Sequence, residues 1–274
     1  MHRRNGKIIT LGWSLLALLA AGNAHAQQRT DVVQIVNAHQ EALVTVKYVL
    51  SLNMGQVAGG QEQEQENELT CSMVSDDGLV ICSNNLLTGS IELIKRIAGP
   101  VGNGMSATPK DFKVLVGDSA DAFDAEIVAR DTELDLVWIR VTDPADRSFA
   151  HLDFANSADA GIGDRIVTIR RAGSSFGRTP VATQTRIGGI SSKPRKLYFP
   201  QVQSMNGMGL PVFTADGRIL GLLVTQLPEA MGNFGGGMAM MGTGMANLQD
   251  AMLGLILPIE DVAKATERAS EVGQ

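Results

Sequence analysis

Side-chain hydrolysis of an acyl bond needs a hydroxyl or thiol made nucleophilic by a base within hydrogen-bond reach, and a carboxylate that orients the base. This sequence is poorly supplied with bases. Of its four histidines, His2 and His25 lie in the first 26 residues, leaving His39 and the His151 of Phe149-Ala150-His151-Leu152. A carboxylate embedded in apolar residues does occur, Asp135 in Leu134-Asp135-Leu136-Val137-Trp138-Ile139. Ser204 has no lysine at the spacing of a Ser-x-x-Lys dyad. The only thiols, Cys71 and Cys82, have no histidine nearby, so they do not supply a zinc site. No metal site and no cofactor motif is read.

The two cysteines flank Asp76-Asp77, a dipeptide typical of a tight hairpin turn. In a two-residue hairpin centred there, 71 faces 82, and in an oxidising compartment a disulfide is expected ahead of two buried thiols. That register puts the pair at a hydrogen-bonding position, where a cross-strand bridge is more strained. Between Arg165 and Lys196 stand eight basic residues and no acidic one. Arg170, Arg171, Arg178, Arg186, Arg195 and Lys196 could form an anion-binding patch, although scattering as solvated charges over several strands is the commoner outcome. Met238, Met240, Met241 and Met245 lie in a Gly-rich run. Such thioethers more often form an adaptable gripping surface than a Cu(I) site.

These residues must be positioned by short strands. Val, Ile, Thr and Gly are frequent and aromatics make up 4% of the chain, a composition suited to many strands and tight turns. Strands are predicted over 43–52, 68–75, 78–83, 112–116, 122–129, 136–141, 165–169, 181–190, 211–213 and 219–225, with a short helix over 31–42, capped by Thr30 or Asp31, and a terminal helix over 258–272. Residues 58–66 read as a solvated low-complexity loop, and 230–254 as a Gly/Met loop. Regular spacing without intervening helices points to an all-β sandwich or a pair of barrels.

The N-terminus reads as a signal peptide: basic Arg3, Arg4 and Lys7, an apolar stretch from Ile8 to Ala21, and Ala24-His25-Ala26. Cleavage after Ala26 is expected, giving a secreted or periplasmic protein without a transmembrane segment. Loss of those three basic residues takes the formal charge from −6 to −9, which argues against a nucleic-acid partner.

Three stretches carry a resemblance. Ser157 to Asp164 before a strand, Gly209-Leu210-Pro211-Val212-Phe213 before Asp216-Gly217-Arg218-Ile219-Leu220-Gly221, and Leu257-Pro258-Ile259 before a helix are similar, in order and spacing, to HtrA-type trypsin-like serine proteases. The resemblance spans roughly residues 30 to 270 and implies an all-β fold of two six-stranded antiparallel barrels with a C-terminal helix. It divides the chain into 1–26, 27–148 (helix and first barrel) and 149–274 (second barrel, Gly/Met loop and helix). Many members carry a PDZ domain, and none is expected here.

Carried onto this chain, the family's acid falls on Asp135. Its histidine, counted from Gly78, falls on Asn85, or on Leu86 if the asparagines are matched. Its nucleophile, counted back from Pro211, falls on Met208, between the oxyanion-loop glycines Gly207 and Gly209. The reading is therefore a pseudoprotease that binds a protein or peptide. An active serine endopeptidase with unrecognised residues is the alternative, and self-association through the Gly/Met loop a third reading.

Overall fold

The structure is a computed structural model that describes residues 31–55, 61–91, 94–95, 104–117, 121–144, 146–202, 207–225 and 254–272. The signal-peptide reading and the methionine run fall outside these residues.

Twelve strands close into two antiparallel barrels of six. The first contains β1 (Leu43–Met54), β2 (Glu62–Met73), β3 (Leu79–Ser83), β4 (Met105–Val116), β5 (Ala122–Asp131) and β6 (Leu136–Val141), in the order β1-β2-β3-β6-β5-β4. The second contains β7 (Arg165–Arg171), β8 (Pro180–Ser191), β9 (Leu197–Pro200), β10 (Pro211–Thr214), β11 (Ile219–Thr225) and β12 (Gly254–Pro258), in the order β10-β11-β12-β9-β8-β7. The expected all-β double barrel and its C-terminal helix (Ile259–Val272) are both present. Closure leaves no long unpaired strand edge.

Each barrel has its own interior, and a third apolar layer joins them. Val44, Val46, Met73, Val80, Val137 and Ile139 fill the first barrel. Ile166, Ile187, Tyr198, Val212, Leu220 and Ile256 fill the second. Leu43, Ile81, Leu136, Trp138, Val167, Phe213, Leu222 and Val224 lie between them. Strand β11 is buried on both faces, Leu220 and Leu223 inward and Leu222 and Val224 toward the junction, so it reads as an unbroken apolar run. The C-terminal helix lies against β5 of one barrel and β11 of the other, and Trp138 Nε1 donates to Thr266 Oγ1 at 3.1 Å.

Four elements differ from the sequence reading. Residues 62–66, expected in a loop, continue β2, because Glu66 to Glu62 pair in register with Val49 to Asn53 of β1. Partner pairing overrides the weak strand preference of Glu and Gln. Strands β9 and β12 were not expected: β9 is four residues long behind a polar Ser/Lys/Pro segment, and β12 directly abuts the terminal helix. The N-terminal helix ends at 39 and passes into a 3-10 turn, Gln40–Ala42.

Candidate functional site

Asp135 lies at the end of a turn after β5, with φ +60°, and is fully buried. Left-handed backbone is strained for an aspartate, and here a polar cage holds it. Asn85 N–H donates to Oδ1 at 2.7 Å and Thr225 N–H to Oδ2 at 2.9 Å. The Ser83 hydroxyl sits 3.0 Å from both oxygens, and Asn84 N–H donates to the Asp135 carbonyl at 3.2 Å. Ser83 also caps the short helix Asn84–Leu87 by accepting from Leu86 N–H at 3.2 Å. Burial pushes the Asp135 carboxyl up to about 6, against the pull of these donors.

The carboxylate therefore joins the barrels: Ser83 ends β3 of the first and Asn85 follows it, and Thr225 ends β11 of the second. Tyr48 steadies the short helix by donating to Leu86 O at 3.3 Å. Asn84 is buried, and among the described residues its Oδ1 has no hydrogen-bond partner.

The turn at 207–210 packs onto the same junction. Gly209 has φ +80°, and a Cβ there would lie 2.5 Å from Ser83 N, so only glycine permits this approach. Its N–H is engaged by Leu223 O at 2.6 Å. Met208 is buried, with Sδ and Cε against Gly254 beside Leu223. The fold thus brings residues 85, 135 and 208 to one junction, although they are far apart in sequence.

Neither histidine bonds Asp135. His39 is stacked on Phe213 with ring centroids 4.2 Å apart, its Nε2 is 3.1 Å from Gly217 O, and burial lowers its pKa. His151 Nδ1 is 3.1 Å from Phe149 O. Ser83 and Thr225 had not been singled out. Ser83 carries a local signal, a serine directly before a short apolar helix, whereas Thr225 carries none, because its contact with Asp135 is non-local.

Cys71 and Cys82 form a disulfide with Cα atoms 4.8 Å apart. The expected strained, hydrogen-bonding position is corrected. Val74 N–H donates to Leu79 O at 2.8 Å, which makes 74/79 the hydrogen-bonding pair and, by alternation, 71/82 a non-hydrogen-bonded one. The turn departs from a regular two-residue hairpin, with Gly78 at φ +98°.

The basic run disperses. Arg171 is buried and donates to Leu43 O at 2.7 Å, Gln40 O at 2.8 Å and Arg178 O at 3.2 Å, so it serves the barrel junction rather than a surface patch. Arg178 pairs with Glu68, Arg195 with Glu133, Lys196 with Asp159 and Arg165 with Asp31. Arg186 donates to Gly163 O. Arg170 faces away from Arg171 on β7.

Two six-stranded barrels packed about a buried carboxylate define the double-barrel, trypsin-like class of fold. The model of the trypsin-like peptidase domain matches residues 69–222, more than half of the chain, and the protein belongs to that family. Among solved structures, the HtrA-type protease AlgW with a decapeptide has a TM-score of 0.56 at 14% identity, over 89% of this chain and 68% of that one. The apo protease domain of MamO from Magnetospirillum magneticum has a TM-score of 0.46 at 14% identity, over 79% of this chain and 94% of that one. No curated protein matches in sequence. Among the described residues, no helix is long and apolar enough to cross a membrane.

Proposed function

We propose that this protein is a pseudoprotease of the trypsin-like family, a double-barrel module that binds or scaffolds a protein or peptide. In this reading Asn85, Asp135 and Met208 occupy the positions of the family's base, acid and nucleophile. One observation carries it: the donors around the Asp135 carboxylate are the Ser83 hydroxyl, the Thr225 side chain and the backbone N–H groups of Asn85 and Thr225, with no imidazole among them. A triad carboxylate orients an imidazole. This one braces backbone from two barrels. The buried thioether of Met208 supplies no nucleophile.

The disulfide fits an oxidising compartment, and we place the protein outside the cytoplasm after cleavage at Ala26. Peptide binding extends by analogy from the decapeptide in the AlgW structure. The test is incubation of pure protein with casein and with a fluorophosphonate probe. Neither cleavage nor labelling is expected. Casein cleavage abolished by a serine-directed inhibitor would overturn the proposal. Met208→Ser alone should restore nothing, because a hydroxyl without a base remains a poor nucleophile.

A further inference from the structure

One end of the second barrel opens into a cavity of about 60 Å³. Its floor is apolar and buried: Ile166, Leu210, Val212, Leu223 and Ile256. Along β7 the residues on this face run from Ile166, fully buried, through Thr168 to Arg170, both half-buried. Thr183 and Thr185 of β8 stand opposite Thr168 and Ile166 and continue the polar side of the mouth. The cavity therefore grades from hydrocarbon to hydroxyls to one guanidinium.

Arg170 differs from its neighbours. Arg165, Arg171, Arg178, Arg186, Arg195 and Lys196 each have a carboxylate or carbonyl partner. Among the described residues, Arg170 has neither. A guanidinium presents a planar fork of donors that matches a carboxylate in bidentate geometry. The available volume suits one aliphatic side chain, and the apolar floor offers such a group nothing but burial.

We propose that this cavity binds a compact aliphatic group bearing a carboxylate, with the hydrocarbon on the Val212–Leu223–Ile256 floor and the carboxylate on Arg170 at the mouth. Two sources share this chemistry: a free branched-chain carboxylic acid and the C-terminal residue of a peptide. The cavity adjoins the Asp135 junction, because Gly207, Leu210 and Leu223 line it as well, but the inference stands on the cavity lining and Arg170 and holds whether or not Met208 occupies the nucleophile position.

The test is calorimetric titration of the whole protein with N-acetyl-leucine, N-acetyl-leucinamide, isovalerate, and a hexapeptide ending in leucine in free-acid and amidated forms. The free acids should bind and the amides should bind at least about tenfold more weakly. Arg170→Gln should weaken the acids by about tenfold or more, while Arg195→Gln should leave them unchanged. A hexapeptide that binds no tighter than N-acetyl-leucine assigns the site to small acids, and one that binds tighter assigns it to chain ends. Equal binding of acids and amides, equal binding by Arg170→Gln, or no heat from any ligand at millimolar concentration would overturn the proposal. Melting curves of both variants, expected to overlay the parent's, separate lost binding from lost fold.

Discussion

Replacing Asp135 with asparagine tests whether a costly buried charge braces the two barrels. The carboxyl titrates at about 6 in the folded protein, raised by burial from the ordinary 3.8. The folded state therefore binds its proton more tightly than the unfolded state does. Stability from this group is fully present below the unfolded value and is lost as pH rises through about 6. The full difference is about 3 kcal/mol, of which about 2 kcal/mol falls between about pH 4.5 and about pH 7.5. Asparagine abolishes the titration. It also turns an amide toward Asn85 N–H or Thr225 N–H, leaving one buried donor unpaired at a cost of about 1–3 kcal/mol. At neutral pH the two effects nearly cancel, whereas in acid the variant is clearly weaker. Urea unfolding of both proteins across this range reads the difference, and groups common to both cancel. Parallel stability–pH curves, or a parent that gains stability over the variant as pH rises, would refute the reasoning.

Other expectations follow from the same contacts. Cys71→Ala/Cys82→Ala should lose about 3 kcal/mol in chemical denaturation by the chain-entropy account. Unreduced, denatured parent protein should accept no alkylating reagent. Gly209→Ala should cost more than about 2 kcal/mol, since its Cβ would collide with Ser83 N in a left-handed backbone; a melting temperature within a degree of the parent's would contradict this. Arg171→Leu should destabilise by about 3 kcal/mol, because the carbonyls of Gln40 and Leu43 lose a buried charged donor, and thermal melting checks it.

Much of the barrel framework could be read from the chain. β6 and β11 were expected with the boundaries they have, because each is an apolar run flanked by polar residues, Asp135 and Thr142 for one and Arg218 and Gln226 for the other. β12 could not be separated from the helix beside it, since five apolar residues have no period that distinguishes strand from helix. The pairing of Cys71 with Cys82 followed from counting across the turn, whereas its hydrogen-bonding class depended on the real turn geometry. Asp135 stood out as a charge in an apolar strand, but its partner Thr225 is 90 positions away and no local pattern joins them. Likewise the basic run looked like one patch only in one dimension, because alternation along β7 sends Arg170 and Arg171 to opposite faces.

The segment ahead of β1 gives the molecule an unusual order of assembly. Gln40 precedes the first barrel and Leu43 opens it, yet their carbonyls are held by Arg171 in β7, and His39 rests on Phe213 and Gly217 of the second barrel. The bond from Arg171 to Leu43 spans 128 positions and that from His39 to Gly217 spans 178. During synthesis the N-terminal helix emerges first and has to wait for the second barrel before it can dock. A second-barrel fragment lacking the residues up to Leu43 would leave Phe213 without His39 and Arg171 without two of its acceptors. The barrels are separate in topology, but the helix and turn just ahead of β1 belong physically to the second barrel, which is made later.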